Sequence, residues 1–359
     1  MFVSFNIQSS IANYNVVIEN GAFDRIQQQN GNSAILCDRY FESAFARNNR
    51  VIAVVANEET KSLRSIPEII VKMRDLALTR QTKLVAVGGG SLQDTAAFCA
   101  SIYMRGIKWD YFPTTLLGMV DSCIGGKSSI NVGRYKNLVG NFYPPETVVI
   151  DPMLVLSLSQ EQKIAGLCEA VKICYARGLT SFAEYMSLNP HIDITVDCFA
   201  DVIELSLKAK KWFIEVDEFD KAERLLLNFG HTFGHALEGA SNFEICHGIA
   251  VGLGMLIAIE YAVLTAGIKE MPVETQQLKS YVISLLDGLQ ALGEVIKCIN
   301  VEKVFDCFIS DKKHTDSHFV IITINKKGML ERLFVEKNDI NINSLKSVIS
   351  AIIGWSGKL

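Results

Sequence analysis

Short apolar runs alternate with amphipathic segments through the first half of this chain, and the alternation limits the folds available to it. Residues 16–18, 34–37, 51–55 and 83–87 are apolar runs of strand length, and residues 65–78 carry apolar positions at helical spacing. Alternating strands and helices predict a parallel, doubly wound sheet with helices on its faces. The first half is therefore predicted to be a Rossmann-like α/β domain.

The pattern changes after about residue 151. Residues 159–176, 196–212, 225–238 and 249–265 are predicted helices, and only residues 319–323 and 330–335 look like later strands. We therefore predict an α/β domain over residues 1–157 and a mainly α-helical domain over residues 158–359.

Composition narrows the class of protein. A net charge of −4 argues against a general nucleic-acid surface, so no nucleic-acid partner is expected. The nine cysteines form no C-x-x-C pair and the first residues look like a strand rather than a signal peptide, so reduced thiols in the cytoplasm are expected. Glu260, Gly252 and Gly254 interrupt the apolar residues 250–267, which predicts a buried core helix rather than a membrane span.

A glycine turn follows the predicted strand at residues 83–87. The sequence GGGS at residues 88–91 leads into a helical pattern, a layout that brings backbone N–H groups and a helix N-terminus against a pyrophosphate. A tight strand–helix turn with no ligand is the alternative, because the G-x-G-x-x-G fingerprint is absent. Asp94 then either binds a ligand or only complements the helix dipole. Glu58 and Lys61 either hold a ribose or form a solvated loop pair.

A loop rich in lysine and glycine follows at residues 113–137. It contains the sequence GGK at residues 125–127 and the pair Lys136–Asn137, between apolar flanks. Lysine is a compact positive charge for phosphate and asparagine adds a donor, so an anion site is one interpretation. Surface lysines on an exposed loop are the other.

A polar stripe crosses an apolar segment later in the chain. Arg224, Asn228, His231 and His235 are four, three and four residues apart, a spacing that places them on one face of a helix. Polar groups in an apolar segment cost free energy unless a metal, ligand or partner satisfies them. We expect the segment to bend, because glycines interrupt it at residues 230 and 234.

Two charged residues also interrupt an apolar helix upstream. Glu169 and Lys172 lie three residues apart, and Glu169 with His231 and His247 forms a plausible metal set that leaves a position open for substrate. No H-E-x-x-H sequence supports a metal by local spacing. Spacing alone leaves three roles open for His235: a residue that contacts a metal ligand, a proton shuttle or a core histidine.

Taken together these motifs resemble the 3-dehydroquinate synthase family of sugar-phosphate cyclases, over about residues 14–334. The most specific segments are residues 88–90, 103–106, 113–117, 121–127, 136–137, 169–172 and 227–235. The resemblance implies a phosphate-eliminating cyclase of the shikimate pathway that uses NAD catalytically and a divalent metal, zinc or cobalt. It also implies a sugar-phosphate substrate, a homodimer and no membrane partner.

The resemblance assigns roles to particular residues. It implies metal ligation by Glu169, His231 and His247. It implies an NAD site lined by Asp38, Glu58, Lys61, Gly88, Gly89, Gly90, Ser91, Asp94, Thr114, Thr115, Lys127, Lys136 and Ser157.

The remaining roles concern the substrate. The resemblance assigns its carboxylate to Lys210 and Arg224. It assigns its phosphate to Lys127, Asn137, Asn228 and one of Lys312 and Lys313, with Lys313 chosen here, and to Arg105 of a neighbouring subunit. It places Asp121, Lys172 and His235 around the reacting hydroxyls.

Some positions depart from the family pattern. Ser157 and Ser159 stand where Thr and Pro are common, and Ile249 stands where Glu is common. Alternatives are another cyclase that forms an inosose- or valiolone-type cyclitol, a metal-dependent polyol dehydrogenase, or a non-catalytic protein that has kept the fold. The pair Lys210 and Arg224 favours a carboxylated substrate over the first, and the phosphate-binding lysines argue against the second.

Overall fold

The computed structural model describes residues 2–28, 32–133, 135–268 and 270–354. The chain divides into two compact units. Unit 1 comprises Met1–Leu158 and Ile194–Glu218, and unit 2 comprises Ser159–Asp193 and Phe219–Leu359.

Unit 1 is built on a seven-stranded sheet in the order β1-β2-β9-β6-β5-β3-β4. Its strands are β1 Phe2–Ile7, β2 Tyr14–Glu19, β3 Ser33–Asp38, β4 Val51–Val54, β5 Lys83–Gly88, β6 Trp109–Pro113 and β9 Thr147–Ile150. All neighbouring pairs are parallel except β1 with β2. The strands β7 Ile130–Val132 and β8 Tyr135–Val139 form a separate antiparallel pair.

The helices of unit 1 are α1 Ala22–Gln27, α2 Ile66–Asp75, α3 Gly90–Ile102 and α6 Val196–Val216. An apolar core lies against one face of the sheet, where Ile35, Val85 and Phe112 pack with Ile26 and Phe45. Each large side chain buried in this way contributes about 1.5–3 kcal/mol relative to exposure. The predicted α/β domain with a mainly parallel sheet is confirmed.

The strand order reverses between β3 and β5. From β3 the chain passes outward to β4, and it then returns to β5 and continues to β6 and β9 on the other side. The carboxyl ends of strands at such a reversal form a crevice in which α/β proteins bind ligands. The glycine turn follows β5 and Asp38 ends β3, so both lie at this reversal.

Unit 2 is mainly helical, as predicted. Its helices are α4 Gln160–Arg177, α5 Leu179–Ser187, α7 His231–Ala240, α8 His247–Ala266, α9 Val273–Asp287, α10 Gln290–Lys297, α11 Val301–Ile309 and α12 Asp339–Ile353. The strands β10 His318–Ile324 and β11 Leu330–Glu336 form an antiparallel hairpin. Helix α8 is long and apolar enough to cross a membrane, but 72% of that stretch is buried against its neighbours in the fold, as a core helix is.

Two local predictions need correction. Residues 225–238 are not one helix, because a 3₁₀ turn at Glu223–Asn228 ends before Gly230, which is the N-cap of α7 with φ +78°, so the bend expected at Gly230 is present. Gly234, the other expected bend, lies inside α7. Helix α6 packs with β1 and with the helical turns at Gly118–Ser122 and Pro152–Ser157, although the sequence placed it in the helical domain.

Candidate active site

The glycine turn in unit 1 presents an uncapped helix N-terminus. Helix α3 starts at Gly90, and Gly89 at its N-cap is extended with no side chain bonded to the first turn. The turn itself is fixed from β6, since Thr114 N and Tyr111 Oη donate to Gly88 O at 3.1 and 3.0 Å. A thirteen-residue helix whose N-cap residue offers no side-chain acceptor suits a phosphate at its first turn.

Lys61 and Asp94 form an ion pair beside this turn. Lys61 Nζ lies 2.6 Å from Asp94 Oδ2, and Ser129 N donates to Asp94 Oδ1 at 3.1 Å. Burial raises the pKa of Asp94 to about 6, although the Lys61 charge opposes the shift. Lys61 is only 8% exposed, so the alternative of a solvated loop pair is wrong for this residue.

Glu58 links the end of β4 to the lysine-rich loop. Asn131 Nδ2 donates to Glu58 Oε2 at 2.8 Å, and Lys136 Nζ lies 3.7 Å from the same oxygen. Asn137 N donates to Asn131 Oδ1 at 2.9 Å, with Asn137 in the left-handed region at φ +55°. The loop is therefore organised by hydrogen bonds, while Lys127 on it is exposed.

Asp121 and Lys210 meet inside unit 1. Asp121 lies on a π-helical turn at Gly118–Ser122, and Lys210 projects from α6. Lys210 Nζ lies 2.6 Å from Asp121 Oδ1 and donates to Asp121 O at 2.5 Å. Both residues predicted to contact substrate are thus held in one ion pair.

Four further predicted residues of unit 1 have defined positions. Asp38 Oδ1 accepts from Tyr40 N at 3.2 Å, and Thr115 Oγ1 accepts from Gly118 N at 3.1 Å. Ser157 Oγ donates to Leu154 O at 2.8 Å. Arg105 ends a 3₁₀ turn with φ +67°.

Glycines let three helices of unit 2 approach closely. A Cβ at Gly254 on α8 would lie 2.0 Å from Gly230 O, and a Cβ at Gly248 would lie 2.2 Å from Ala165 O on α4. Real Cβ atoms cannot approach backbone that closely, so only glycine permits this packing. Because the helices approach so closely, side chains on α4, α7 and α8 converge.

The groups that converge are a carboxylate and histidines. Glu169 on α4 is fully buried, and its Oε2 accepts from Lys172 Nζ. Among the described residues, its Oε1 has no hydrogen-bond partner. Nε2 of His231 and Nε2 of His247 lie 3.8 and 3.6 Å from this oxygen. Ligand atoms of a tetrahedral zinc site are about 3.4 Å apart for bonds of about 2.0–2.2 Å. The three groups therefore fit a divalent metal.

Both histidine rings are oriented from their other nitrogen. His231 Nδ1 lies 3.3 Å from Phe229 O, and His247 Nδ1 lies 3.2 Å from Glu238 Oε2. Each acceptor favours a proton on Nδ1, which leaves the Nε2 lone pair directed toward Glu169. The buried, unpaired carboxylate oxygen thus faces two nitrogen lone pairs.

The electrostatics of the two rings differ. Burial and the charge of Lys172 hold the pKa of His231 well below its usual range, so this ring is neutral, as a metal ligand must be. Burial opposes protonation of His247 as well, but the hydrogen bond to Glu238 and the charge of Glu169 raise its pKa.

His235 completes a cluster with His231 and His247, and one nitrogen of each ring lies within 4.8 Å of the others. It is the most exposed of the three, and desolvation with the charge of His247 lowers its pKa to about 4. A neutral imidazole beside a metal set can accept or relay a proton.

The charge of Lys313, rather than that of Lys312, lowers pKa values in the histidine cluster. Lys313 Nζ lies 2.6 Å from Asp311 Oδ2, and its charge lowers the pKa of both His231 and His235, whereas Lys312 is exposed. Arg224 is 4% exposed on the 3₁₀ turn that precedes α7, and Asn228 Nδ2 on that turn donates to Leu225 O at 3.1 Å.

Sequence reasoning missed two carboxylates at this site, Glu238 and Asp311. Glu238 could have been found, because it lies three residues after His235 and so continues the stripe of α7. Asp311 was not selected, because the sequence Asp311–Lys312–Lys313 says little by itself and only the structure pairs Asp311 with Lys313.

The features of the two units are typical of an enzyme that uses a nucleotide and a metal ion. Unit 1 is an open α/β unit with an uncapped glycine turn, which suits the nucleotide. Unit 2 is a helical unit with a carboxylate–histidine cluster, which suits the metal ion.

Solved structures share the fold. A 2-deoxy-scyllo-inosose synthase solved with carbaglucose-6-phosphate, NAD+ and Co2+ has a TM-score of 0.80 at 24% identity, covering 97% of this chain and 99% of that one. A 2-epi-5-epi-valiolone synthase from Streptomyces hygroscopicus subsp. jinggangensis 5008, solved with NAD+ and Zn2+, has a TM-score of 0.75 at 21% identity, covering 96% and 98%.

The chain belongs to the 3-dehydroquinate synthase family. The family models for the 3-dehydroquinate synthase N-terminal and C-terminal regions match residues 51–165 and 166–314. The 3-dehydroquinate synthase of Clostridium botulinum (strain Alaska E43 / Type E3) is 34% identical over 282 residues, 77% of each chain. That of Enterococcus faecalis (strain ATCC 47077 / OG1RF) is 34% identical over 333 residues, 88% of this chain and 91% of that relative.

Proposed function

We propose that this protein converts 3-deoxy-D-arabino-heptulosonate 7-phosphate to 3-dehydroquinate and phosphate, as a carbon–oxygen lyase of the shikimate pathway. The observation that carries the proposal is the buried Glu169 oxygen that faces His231 and His247, in a chain of this family. Relatives that are named 3-dehydroquinate synthase match at higher identity than the cyclitol-forming structures, which favours this substrate over a cyclitol precursor.

The cofactors are NAD and a divalent metal, zinc or cobalt. The uncapped start of α3 and the ion pair of Lys61 with Asp94 support the NAD site in unit 1. Glu169, His231 and His247 would hold the metal, and the solved relatives carry NAD+ with Co2+ or Zn2+.

Bound NAD would supply an acceptor and later a donor for one hydride, and bound metal would polarise the hydroxyl on the carbon that gives up this hydride. A ketone at C5 acidifies the C6 proton, so that proton and the phosphate leave together as a new double bond forms. After the hydride returns, the ring opens and an intramolecular aldol reaction closes the carbocycle. Much of the protein's contribution is orientation and charge stabilisation.

Particular residues of this chain would bind the substrate and handle its protons. We assign the substrate carboxylate to Arg224 and Lys210, and proton handling at the hydroxyls to Asp121, Lys172 and His235. We assign the phosphate to Lys127, Asn137, Asn228 and Lys313, with Arg105 from a second copy of the chain. The enzyme would then act as a homodimer in the cytoplasm.

No net NADH is expected to accumulate during turnover, because each hydride taken from the substrate returns to it. Purified protein with NAD, zinc or cobalt and the heptulosonate phosphate should release phosphate and form the carbocycle in equal amounts. Phosphate release, carbocycle formation and absorbance at the nicotinamide band are followed in one reaction. Sugar phosphates that lack the carboxylate serve as controls.

Absorbance that rises in step with substrate consumption would instead identify a polyol dehydrogenase. Turnover of a control sugar phosphate with the heptulosonate phosphate left intact would identify a cyclitol-forming cyclase.

Replacing Arg224 with alanine is expected to lower kcat/KM for the carboxylated substrate far more than NAD affinity. Loss of one partner from a buried charge pair costs about 2–5 kcal/mol, or roughly 30- to 5,000-fold. Steady-state kinetics and NAD titration by fluorescence measure the two effects separately. Arg332→Ala, an exposed arginine of the same unit, is the matched control. Equal kcat/KM in wild type and Arg224→Ala would remove this residue from the carboxylate site.

A further inference from the structure

The ring of His247 is held from its Nδ1 side by a carboxylate on the neighbouring helix. Glu238 Oε2 lies 3.2 Å from His247 Nδ1, while His247 Nε2 faces Glu169 Oε1 at 3.6 Å. An ionised carboxylate only accepts hydrogen bonds, so this contact requires the proton on Nδ1. The Nε2 lone pair is then available on the side where Glu169 lies.

The backbone of Glu238 also fixes where α8 begins. Its carbonyl oxygen accepts from Ser241 Oγ at 3.1 Å and from Phe243 N at 2.7 Å, and Ile245 N donates to Ser241 Oγ at 3.3 Å. These bonds hold the short connection between α7 and α8, and His247 is the first residue of α8. The side chain of Glu238 thus contacts the His247 ring, and its main chain is bonded within the connection that leads to His247.

We propose that Glu238 is a positioning residue for the metal centre, which selects the Nδ1–H form of His247 and aims its Nε2 at the metal. The inference rests on the metal site of the proposed function and adds a residue to it. His231 is oriented by a backbone carbonyl, which no substitution removes, so Glu238 is the orienting group that mutation can test. A carboxylate also makes the imidazole a stronger ligand than a neutral acceptor does.

Metal titration of the full-length protein tests this role without relying on turnover. Protein stripped of metal is titrated with Zn²⁺ against a chromophoric chelator, for wild type, Glu238→Ala and Glu238→Gln. Glu238→Ala is expected to bind Zn²⁺ about 10- to 100-fold more weakly, as is typical when the partner of a ligating histidine is lost. Glu238→Gln keeps an accepting oxygen without the charge and is expected to lie between the two.

Glu244→Ala is the matched control, because Glu244 is an exposed carboxylate on the same connection. Its affinity should equal that of wild type. Thermal melting of each metal-free variant shows whether the fold is retained.

A second measurement, made on wild type, does not depend on the Glu238 variants. In zinc-loaded protein labelled with ¹⁵N-histidine, the His247 ring is expected to carry its proton on Nδ1, with the signal assigned by its loss in His247→Asn.

Equal Zn²⁺ affinity in folded Glu238→Ala and wild type would overturn the proposal, and so would a His247 proton on Nε2. Failure of wild type itself to bind zinc or cobalt would remove the metal centre of the proposed function. The two failures are therefore distinguishable.

Discussion

Replacing Glu169 with glutamine is expected to weaken metal binding by more than about 100-fold and to reduce turnover accordingly. Loss of a group that only hydrogen-bonds to a metal ligand already lowers metal affinity about 10- to 100-fold, and Glu169 is itself a proposed ligand. Its Oε1 is buried with no hydrogen-bond partner among the described residues, so the native protein leaves this oxygen free for a cation. An amide oxygen carries no charge and is a far weaker ligand. Metal content by elemental analysis and Zn²⁺ affinity measure the change.

Glu260→Gln is the matched control for this substitution. Glu260 is also a helix-borne carboxylate of unit 2 paired with a lysine, since its Oε1 lies 2.5 Å from Lys279 Nζ. It lies thirteen residues after His247 on α8, which is about 20 Å along a helix. Metal affinity should be unchanged in the control. Full occupancy of Glu169→Gln at wild-type affinity would show that the metal binds elsewhere.

Replacing Gly254 with alanine is expected to destabilise unit 2 by about 3 kcal/mol or more, at the upper end of overpacking costs. The new Cβ would lie 2.0 Å from Gly230 O and 2.8 Å from Gly234 N, which are backbone atoms that move only with their helix. Helices α7 and α8 would have to separate, and His231 and His247 would separate with them. Urea unfolding followed by circular dichroism and Zn²⁺ titration would measure both effects.

Gly293→Ala is the control for the glycine effect. A Cβ at Gly293 on α10 would meet none of the described residues within 4 Å, so alanine there should stabilise the helix by about 0.8–1.0 kcal/mol. If Gly254→Ala proves as stable as this control and binds metal normally, the close approach of α7 and α8 does not organise the site.

Sequence patterns predicted several of the strands that are continuous apolar runs. The runs at residues 34–37, 51–55 and 83–87 correspond to β3, β4 and β5, which lie side by side in the sheet. The strands β6, β7, β8 and β9 went unpredicted, and for β8 the reason is clear, because it is almost wholly exposed and carries no apolar run. Periodicity predicts burial, so an element without burial gives no periodic signal.

The polar stripe shows the same limit at the candidate site. Its spacing selected Arg224, Asn228, His231 and His235, and its glycines predicted a bend, but the spacing could not say where the helix begins. The chain turns at Gly230, which adopts φ +78° and lies so close to α8 that only glycine fits there. Helical spacing describes a face only as long as the helix continues.

Sequence alone determined the α/β and helical halves and the glycine turn after β5. These follow from the order and spacing of nearby residues, which local backbone geometry converts directly into strands, turns and helix faces. Only the tertiary structure decided that α6 packs with unit 1, that Lys61 pairs with Asp94, and that one oxygen of Glu169 stays unpaired before two histidines. Pairing and burial depend on residues far apart in the chain, and local spacing carries no information about which of them meet.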